Sequence, residues 1–165
     1  MKYITKSNIL YYLSAILVMV FADLFSKFYI FNVLADLPNQ QIEVFSFFNL
    51  VMVWNRGVSF GMLNSIPNAP LVLSILALCI VGFLFNWFLK TESKYIAVAL
   101  SFVIAGAFGN IIDRMINGAV ADFLDFHVSG YHWPAFNLAD SFVFIGAVLL
   151  IFEELFIKIY RCYKK

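Results

Sequence analysis

The stretch GNIIDRMINGAVADFLDF, residues 109–126, places three aspartates and one arginine directly after an apolar run. A second polar group stands in PAFNLADSF, residues 134–142, which contains Asp140. Two carboxyl groups held close together share a proton, so that one acts as a base toward water while the other donates to a substrate carbonyl. These residue types therefore predict amide hydrolysis by paired aspartates, without a metal or a covalent nucleophile.

The partner of Asp140 is left open by spacing. Ser129 and Gly130 supply a chain reversal between the two polar groups, and this turn could bring an earlier acid to the depth of Asp140. Both Asp122 and Asp125 are compatible with such a return. A helix cap formed with Asn137 would explain Asp140 without any catalysis.

Other polar residues have structural alternatives. Asp23 and Lys27 are four residues apart and so share a helix face, where they could neutralise each other or contact substrate. Asp113 stands beside Arg114, and an adjacent arginine would keep that carboxylate ionised. We expect an ionised, paired Asp113 to serve as a clamp for the structure rather than as an acid.

Metal, cofactor and nucleic-acid binding are not predicted. His127 and His132 flank a turn near Asp125, but this spacing is not typical of a metal site. A net charge of +1 and the lack of a long basic run give no case for nucleic acid. We therefore expect neither a metal nor a cofactor.

The elements that position these residues are membrane helices. Of the 165 residues, 63% are hydrophobic and 13% are charged, and the mean hydropathy is +0.89. A helix needs about 20 apolar residues to cross a bilayer. Residues 1–165 are therefore predicted to form one membrane domain, all-α with a small β element, with spans at about 9–31, 69–89, 95–112 and 138–160.

Basic residues predict the orientation of these spans. Two of them, Arg56 and Arg114, fall on one side of the predicted membrane. Eight fall on the other side: Lys2, Lys6, Lys90, Lys94, Lys158, Arg161, Lys164 and Lys165. Positive residues favour the cytoplasm, so both termini are predicted to be cytoplasmic. The polar groups then converge at the outer leaflet, where intramembrane ionisable residues are functional candidates.

Two segments are then predicted to lie outside, residues 36–68 and 113–137. The first contains IEVFSFFNLVMVWN, which is rich in β-branched and aromatic residues. We expect it to form a small β-sheet on the outer face of the membrane. The second is expected to be a loop.

Five short motifs, in order, resemble the lipoprotein signal peptidases (signal peptidase II), aspartic peptidases of the bacterial cytoplasmic (inner) membrane. They are DLFSK at 23–27, NRGVSFG at 55–61, GNIIDR at 109–114, VADF at 120–123 and FNLAD at 136–140. The resemblance implies a substrate, a prolipoprotein whose cysteine carries diacylglycerol, with the cut just before that cysteine. It also implies inhibition by globomycin-type cyclic peptides, and we expect a monomer embedded in lipid.

The resemblance also implies roles for individual residues. The catalytic pair falls on Asp122, in VADF, and Asp140, in FNLAD. The residues implied to shape the pocket are Asn55, Gly57, Asn110, Asp113, Arg114 and Asn137, to which we add Asp23 and Lys27 as candidates for substrate binding or support. The alternative function is a proton-coupled membrane carrier using intramembrane aspartates. A carrier favours acids near the midplane and inverted repeats, neither of which the sequence shows.

Overall fold

The chain alternates long helices with short strands. The computed structural model describes residues 6–57 and 68–163. Its elements are α1 (Lys6–Ala35), β1 (Gln41–Phe45), β2 (Phe48–Asn55), α2 (Ala69–Lys90), α3 (Lys94–Asn117), β3 (Val120–Val128), β4 (Tyr131–His132) and α4 (Leu138–Tyr163). The predicted mixture of helices with a small β element is confirmed.

Three helices are long and apolar enough to cross a membrane within the described residues. Their spans are Ile9–Ala35, Ala69–Lys90 and Lys94–Asn117, with mean hydropathies of 2.0, 2.4 and 2.0. The fourth helix, α4, has 26 residues and carries acids both at its start and further along. The predicted helices thus exist, and all four extend beyond their predicted bounds at one or both ends.

Helix α3 lies at the centre of the bundle, packed against α4, α1 and α2. Small residues allow the closest approaches. A Cβ atom added at Gly106 would collide with Ala139 O, and one added at Gly146 would lie 2.6 Å from Ala99 O. Small residues at such contacts let helix backbones pack closely where lipid provides no hydrophobic driving force. This packing fixes the start of α4 against α3.

The end of α3 differs from the prediction. The helix continues to Asn117 and ends where Gly118 adopts a left-handed conformation (φ 66°), with its N–H donating to Arg114 O. The segment predicted as an outer loop, residues 113–137, therefore contains the last turn of α3, then β3 and β4. Only glycine adopts the left-handed conformation without strain, and this explains the position of the helix end.

The sheet is antiparallel with the strand order β1-β2-β3-β4. Strands were predicted in residues 36–68, and β1 and β2 confirm this, while residues 58–67 lie outside the described part of the chain. The strand β3 was not predicted. Phe31 of α1 packs with Ala121 and Phe123 of β3, and its ring meets Trp54 of β2 edge-on at 4.9 Å. These contacts place the sheet over the end of α1.

Candidate active site

The two candidate acids come from different elements that meet at one end of the bundle. Asp122 lies on β3 opposite Val53 of β2, beside a register shift in the β2–β3 pairing. Its side chain is buried, with 2% of the residue exposed. Asp140 lies in the first turn of α4. The sheet therefore presents one carboxyl group and the start of a helix presents the other.

Asp140 does form the predicted helix cap. Asn137 Oδ1 accepts from the Asp140 N–H (2.9 Å), and Asp140 Oδ2 accepts from the Asn137 N–H (3.2 Å). This reciprocal pair matches the pattern of a capping box. The second oxygen, Asp140 Oδ1, accepts from Asn110 Nδ2 at 2.7 Å. The cap thus occupies only one carboxylate oxygen and orients the other toward α3.

Side-chain amides join the two acids into one cluster. Asn137 Nδ2 donates to Asp122 Oδ1 (2.7 Å) and to Asn110 Oδ1 (3.1 Å). Asn55 Nδ2 donates to the other oxygen, Asp122 Oδ2, at 3.0 Å. Asn110 and Asn137 therefore bridge Asp122 to Asp140, and Asn137 is fully buried. Amides that are themselves hydrogen-bonded hold both carboxyl groups in fixed positions.

Burial changes the acidity of the strand residue. Desolvation, together with repulsion by Asp140, raises the pKa of Asp122 from its ordinary 3.8 to about 7. Hydrogen bonds from Asn55 and Asn137 oppose the rise by stabilising the ionised form. A carboxyl group with such a pKa holds its proton in about half of the molecules at neutral pH. The pair can therefore hold a single proton, as acid–base cleavage by two aspartates requires.

A buried lysine supports the site through ion pairs with two aspartates. Lys27 Nζ lies 2.7 Å from Asp23 Oδ2, as predicted, and 2.9 Å from Asp113 Oδ2. Asp23 Oδ1 also accepts from the Ala139 N–H (2.8 Å) at the start of α4, while Asp113 Oδ2 accepts from the Ala121 N–H (3.2 Å) next to Asp122. This ion-pair network anchors the backbone beside each candidate acid.

Arg114 has a different role from the predicted one. It was expected to pair with Asp113, but Asp113 pairs with Lys27 instead. Adjacent residues on a helix do not face each other, and this separates the two side chains. Arg114 Nη2 donates to Gly57 O (3.1 Å), and Asn55 Oδ1 accepts from the Gly57 N–H (3.1 Å). Arg114 thereby holds the backbone that follows β2 near the two candidate acids.

Asp125 lies in a separate cluster. Its carboxylate accepts from Asn49 Nδ2 (3.0 Å) and lies 2.9 Å from His132 Nδ1, while the His127 ring stacks on His132. Spacing had left Asp122 and Asp125 as equal candidates, and only Asp122 shares hydrogen-bond partners with Asp140. Within residues 6–57 and 68–163, no group of three metal-ligating side chains is close enough to hold a metal ion.

Comparison with known families now identifies the chain. A family model described as signal peptidase (SPase) II matches residues 15–156, which is most of the sequence. The chain belongs to the signal peptidase II family. This family resemblance was predicted from the five motifs and is confirmed.

Relatives of this signal peptidase II match over most of its length. A lipoprotein signal peptidase of Burkholderia multivorans is 42% identical over 143 residues, which cover 84% of each chain. A lipoprotein signal peptidase of Anaplasma phagocytophilum is 38% identical over 133 residues, which cover 81% of this chain and 84% of the relative. The predicted function, a lipoprotein signal peptidase acting as a hydrolase, is confirmed by this family membership, and the carrier alternative is not supported.

Solved structures give the same result for the fold of the signal peptidase II chain. One is described as a bacterial membrane enzyme structure determined by the in meso method at 2.3 Å resolution. Its TM-score is 0.78 and its sequence identity is 30%, and the match covers 94% of this chain and 92% of that chain. A second, at 1.9 Å resolution, has a TM-score of 0.74 and 30% identity, with coverage of 87% and 92%. The protein is therefore membrane-embedded.

Two further contacts were not predicted, one within this signal peptidase II site and one in the separate Asp125 cluster. The Ala139 N–H donates to Asp23 across 116 positions of sequence, a backbone contact that has no side-chain signature. Asn49 supports Asp125 from inside β2. Here a signal was present, because a buried asparagine in an apolar strand requires a hydrogen-bond partner.

Proposed function

We propose that Asp122 and Asp140 are the catalytic pair of an endopeptidase that removes signal peptides from diacylglyceryl-modified prolipoproteins. The cut falls just before the lipidated cysteine. The observation that carries this proposal is the bridge of Asn110 and Asn137, which gives the two carboxyl groups common hydrogen-bond partners. Placement of this kind supports acid–base cleavage by the two groups together.

The reaction needs one proton on the pair at the start. The raised pKa of Asp122, about 7, favours this residue as the proton carrier. Asp140 takes a proton from water as the water oxygen attacks the scissile carbonyl carbon, and Asp122 gives its proton to the carbonyl oxygen. As the tetrahedral intermediate collapses, Asp140 protonates the leaving amine, the C–N bond breaks, and the proton returns to Asp122.

The supporting residues act on this pair indirectly. Lys27, Asp23 and Asp113 fix the backbone beside each acid through buried ion pairs. Asn55, the last residue of β2, donates to Asp122, and its side-chain oxygen accepts from the N–H of Gly57 just beyond the strand. We propose that this strand end holds the substrate in an extended form near the scissile bond, as proteases that pair with a substrate strand do.

The site is proposed to face the outer leaflet of the bacterial cytoplasmic membrane. Four crossings with both termini in the cytoplasm would place the sheet and both acids outside. This orientation is supported by the excess of basic residues near the predicted inner ends of the helices. A monomer suffices for activity, since one chain supplies the whole cluster. A globomycin-type cyclic peptide would compete with the substrate for the same site.

Cleavage of a defined precursor tests the proposal. The purified chain in lipid bicelles is incubated with a precursor whose cysteine carries diacylglycerol, and with the same peptide unmodified. We expect a product that begins at the lipidated cysteine, identified by mass spectrometry, and little cleavage of the unmodified peptide. Equal cleavage of both peptides, or a cut elsewhere, would contradict the proposed specificity.

A further inference from the structure

A pocket lies between the ends of α1 and α3, next to the sheet. Its volume is about 360 Å³, which falls in the range of roughly 300–1,000 Å³ that is typical of small-ligand sites. One wall is α1, at residues 24–32, and the other is α3, at residues 112–117. Trp54 of β2 and Ala121 of β3 complete the lining. We call this feature the α1–α3 pocket.

The pocket lies across β3 from the catalytic pair. Ala121 lines it, and Asp122 is the next residue of the strand. Successive side chains of a strand point to opposite faces of the sheet. The α1–α3 pocket is therefore separate from the site that cleaves the substrate.

Buried charges give the pocket a negative character. Lys27 and Asp113 line it, and Lys27 also pairs with Asp23. Two carboxylates thus share one ammonium, which leaves one net negative charge in this network. A cation in the pocket would be attracted to that charge.

Two helix ends add to this negative character. α1 ends at Ala35 and α3 ends at Asn117, and the C-terminus of a helix carries partial negative charge that attracts cations. The last turn of α1 contains no basic residue. In the last turn of α3, the guanidinium of Arg114 donates to Gly57 O. The end of α1 therefore has no cation of its own in that turn.

Aromatic side chains also line the pocket. They belong to Phe28, Phe31 and Trp54, and the rings of Phe31 and Trp54 meet edge-on at 4.9 Å. Aromatic rings attract ammonium groups through their quadrupole. An aromatic pocket with a negative charge beside it favours an organic cation.

Two asparagines provide hydrogen-bond acceptors. Asn32 Nδ2 donates to Phe28 O (2.9 Å), and Asn117 Nδ2 donates to Asp113 Oδ1 (3.2 Å). Both side chains line the pocket, and no hydrogen bond within the described part of the chain uses their side-chain oxygens. Such oxygens accept hydrogen bonds from a primary ammonium group, whereas a quaternary ammonium has no proton to donate.

We propose that the α1–α3 pocket binds the primary ammonium group of an ethanolamine phospholipid from the surrounding leaflet. The pocket lies at the ends of two helices that are apolar enough to cross the membrane, where lipid headgroups are found. Phe28 and Ile116 line it and are 69% and 75% exposed, so they offer apolar surface to the acyl chains of the same lipid.

The bound lipid would stabilise the network that supports the catalytic pair. Asp113 Oδ2 accepts from the Ala121 N–H, next to Asp122, and pairs with Lys27. A cation beside this network offsets its excess negative charge. The stability of the protein should then depend on the lipid headgroup, and this can be measured without any substrate.

Thermal unfolding in nanodiscs tests the proposal. The full chain is placed in discs of phosphatidylethanolamine or of phosphatidylcholine with the same acyl chains, and tryptophan fluorescence is followed. We expect the melting temperature to be roughly 3–6 °C higher in phosphatidylethanolamine. No difference between the two lipids would overturn the proposal.

An ammonium group supplied by the chain itself separates pocket binding from a general effect of the bilayer. Asn32→Lys places such a group at the pocket, and Val33→Lys adds the same charge to the same helix turn at a residue that is 41% exposed. We expect Asn32→Lys to lose the gain from phosphatidylethanolamine and Val33→Lys to keep it. A gain that persists in Asn32→Lys would overturn the proposal.

Two further measurements identify the bound species. Free ethanolamine added to phosphatidylcholine discs should leave the melting temperature unchanged, and a gain equal to that from the lipid would overturn the lipid as its source. Native mass spectrometry from discs that contain both lipids should show phosphatidylethanolamine retained preferentially by the unaltered protein and not by Asn32→Lys. Equal retention of the two lipids by the unaltered protein would overturn the proposal even if a variant fails to fold.

Discussion

Removal of the buried lysine should destabilise the whole site. Lys27 is 3% exposed, and its ammonium contacts Asp23, Asp113 and the side-chain oxygen of Asn110 at 2.7, 2.9 and 3.2 Å. In Lys27→Met, two carboxylates remain buried next to each other without a cation. Removing one partner of a buried ion pair costs about 3–5 kcal/mol. For a chain of this size, we expect the melting temperature to fall on the order of 10 °C.

Thermal unfolding of the full chain in detergent, followed by intrinsic tryptophan fluorescence, measures this loss. Lys90→Met is the matched control, because Lys90 is exposed at the end of α2, and it should melt close to the unaltered protein. The double variant Lys27→Met/Asp113→Asn should melt above Lys27→Met, since one stranded charge is gone. A melting temperature unchanged in Lys27→Met, or losses that simply add in the double variant, would refute the reasoning.

Three further predictions concern single residues. The pKa of Asp122 is raised from 3.8 to about 7, so between these pH values the folded chain binds a proton that the unfolded chain has lost. The melting temperature should therefore fall as the pH rises from about 4 to about 7, and it should fall less in Asp122→Asn. Gly109→Ala should reduce stability and cleavage because its Cβ would collide with the Asp23 carboxylate, whereas Gly82→Ala, with open space, should be neutral. Asp125→Asn should lower the melting temperature by a few degrees and retain cleavage, which a cleavage assay on the folded variant would check.

Long apolar runs predicted the helices, because about 20 apolar residues in a helix are enough to cross the lipid bilayer. The strand β3 escaped prediction because its residues from Val120 to Phe123 are all buried, so the alternation typical of a surface strand is missing. Its acids also favoured a loop. Burial on both faces follows from contacts with α1 and α3, which local sequence does not encode.

The site was predicted in part. Pairing within one helix, between Asp23 and Lys27, follows from their spacing and is confirmed. Pairing between helices, such as Lys27 with Asp113, depends on how the helices pack and was missed. The choice of Asp122 over Asp125 came from motifs shared with the family rather than from spacing, because both residues lie on the same strand.

Cleavage by aspartate variants tests the catalytic pair most directly. Asp122→Asn and Asp140→Asn keep the shape of each side chain while removing its acid–base chemistry, and Asp125→Asn applies the same change to an aspartate outside the cluster. Each purified variant, with its melting temperature measured, is incubated with diacylglyceryl-modified precursor. We predict no detectable product from Asp122→Asn or Asp140→Asn and ready cleavage by Asp125→Asn. Substantial cleavage by either of the first two folded variants would contradict the assignment.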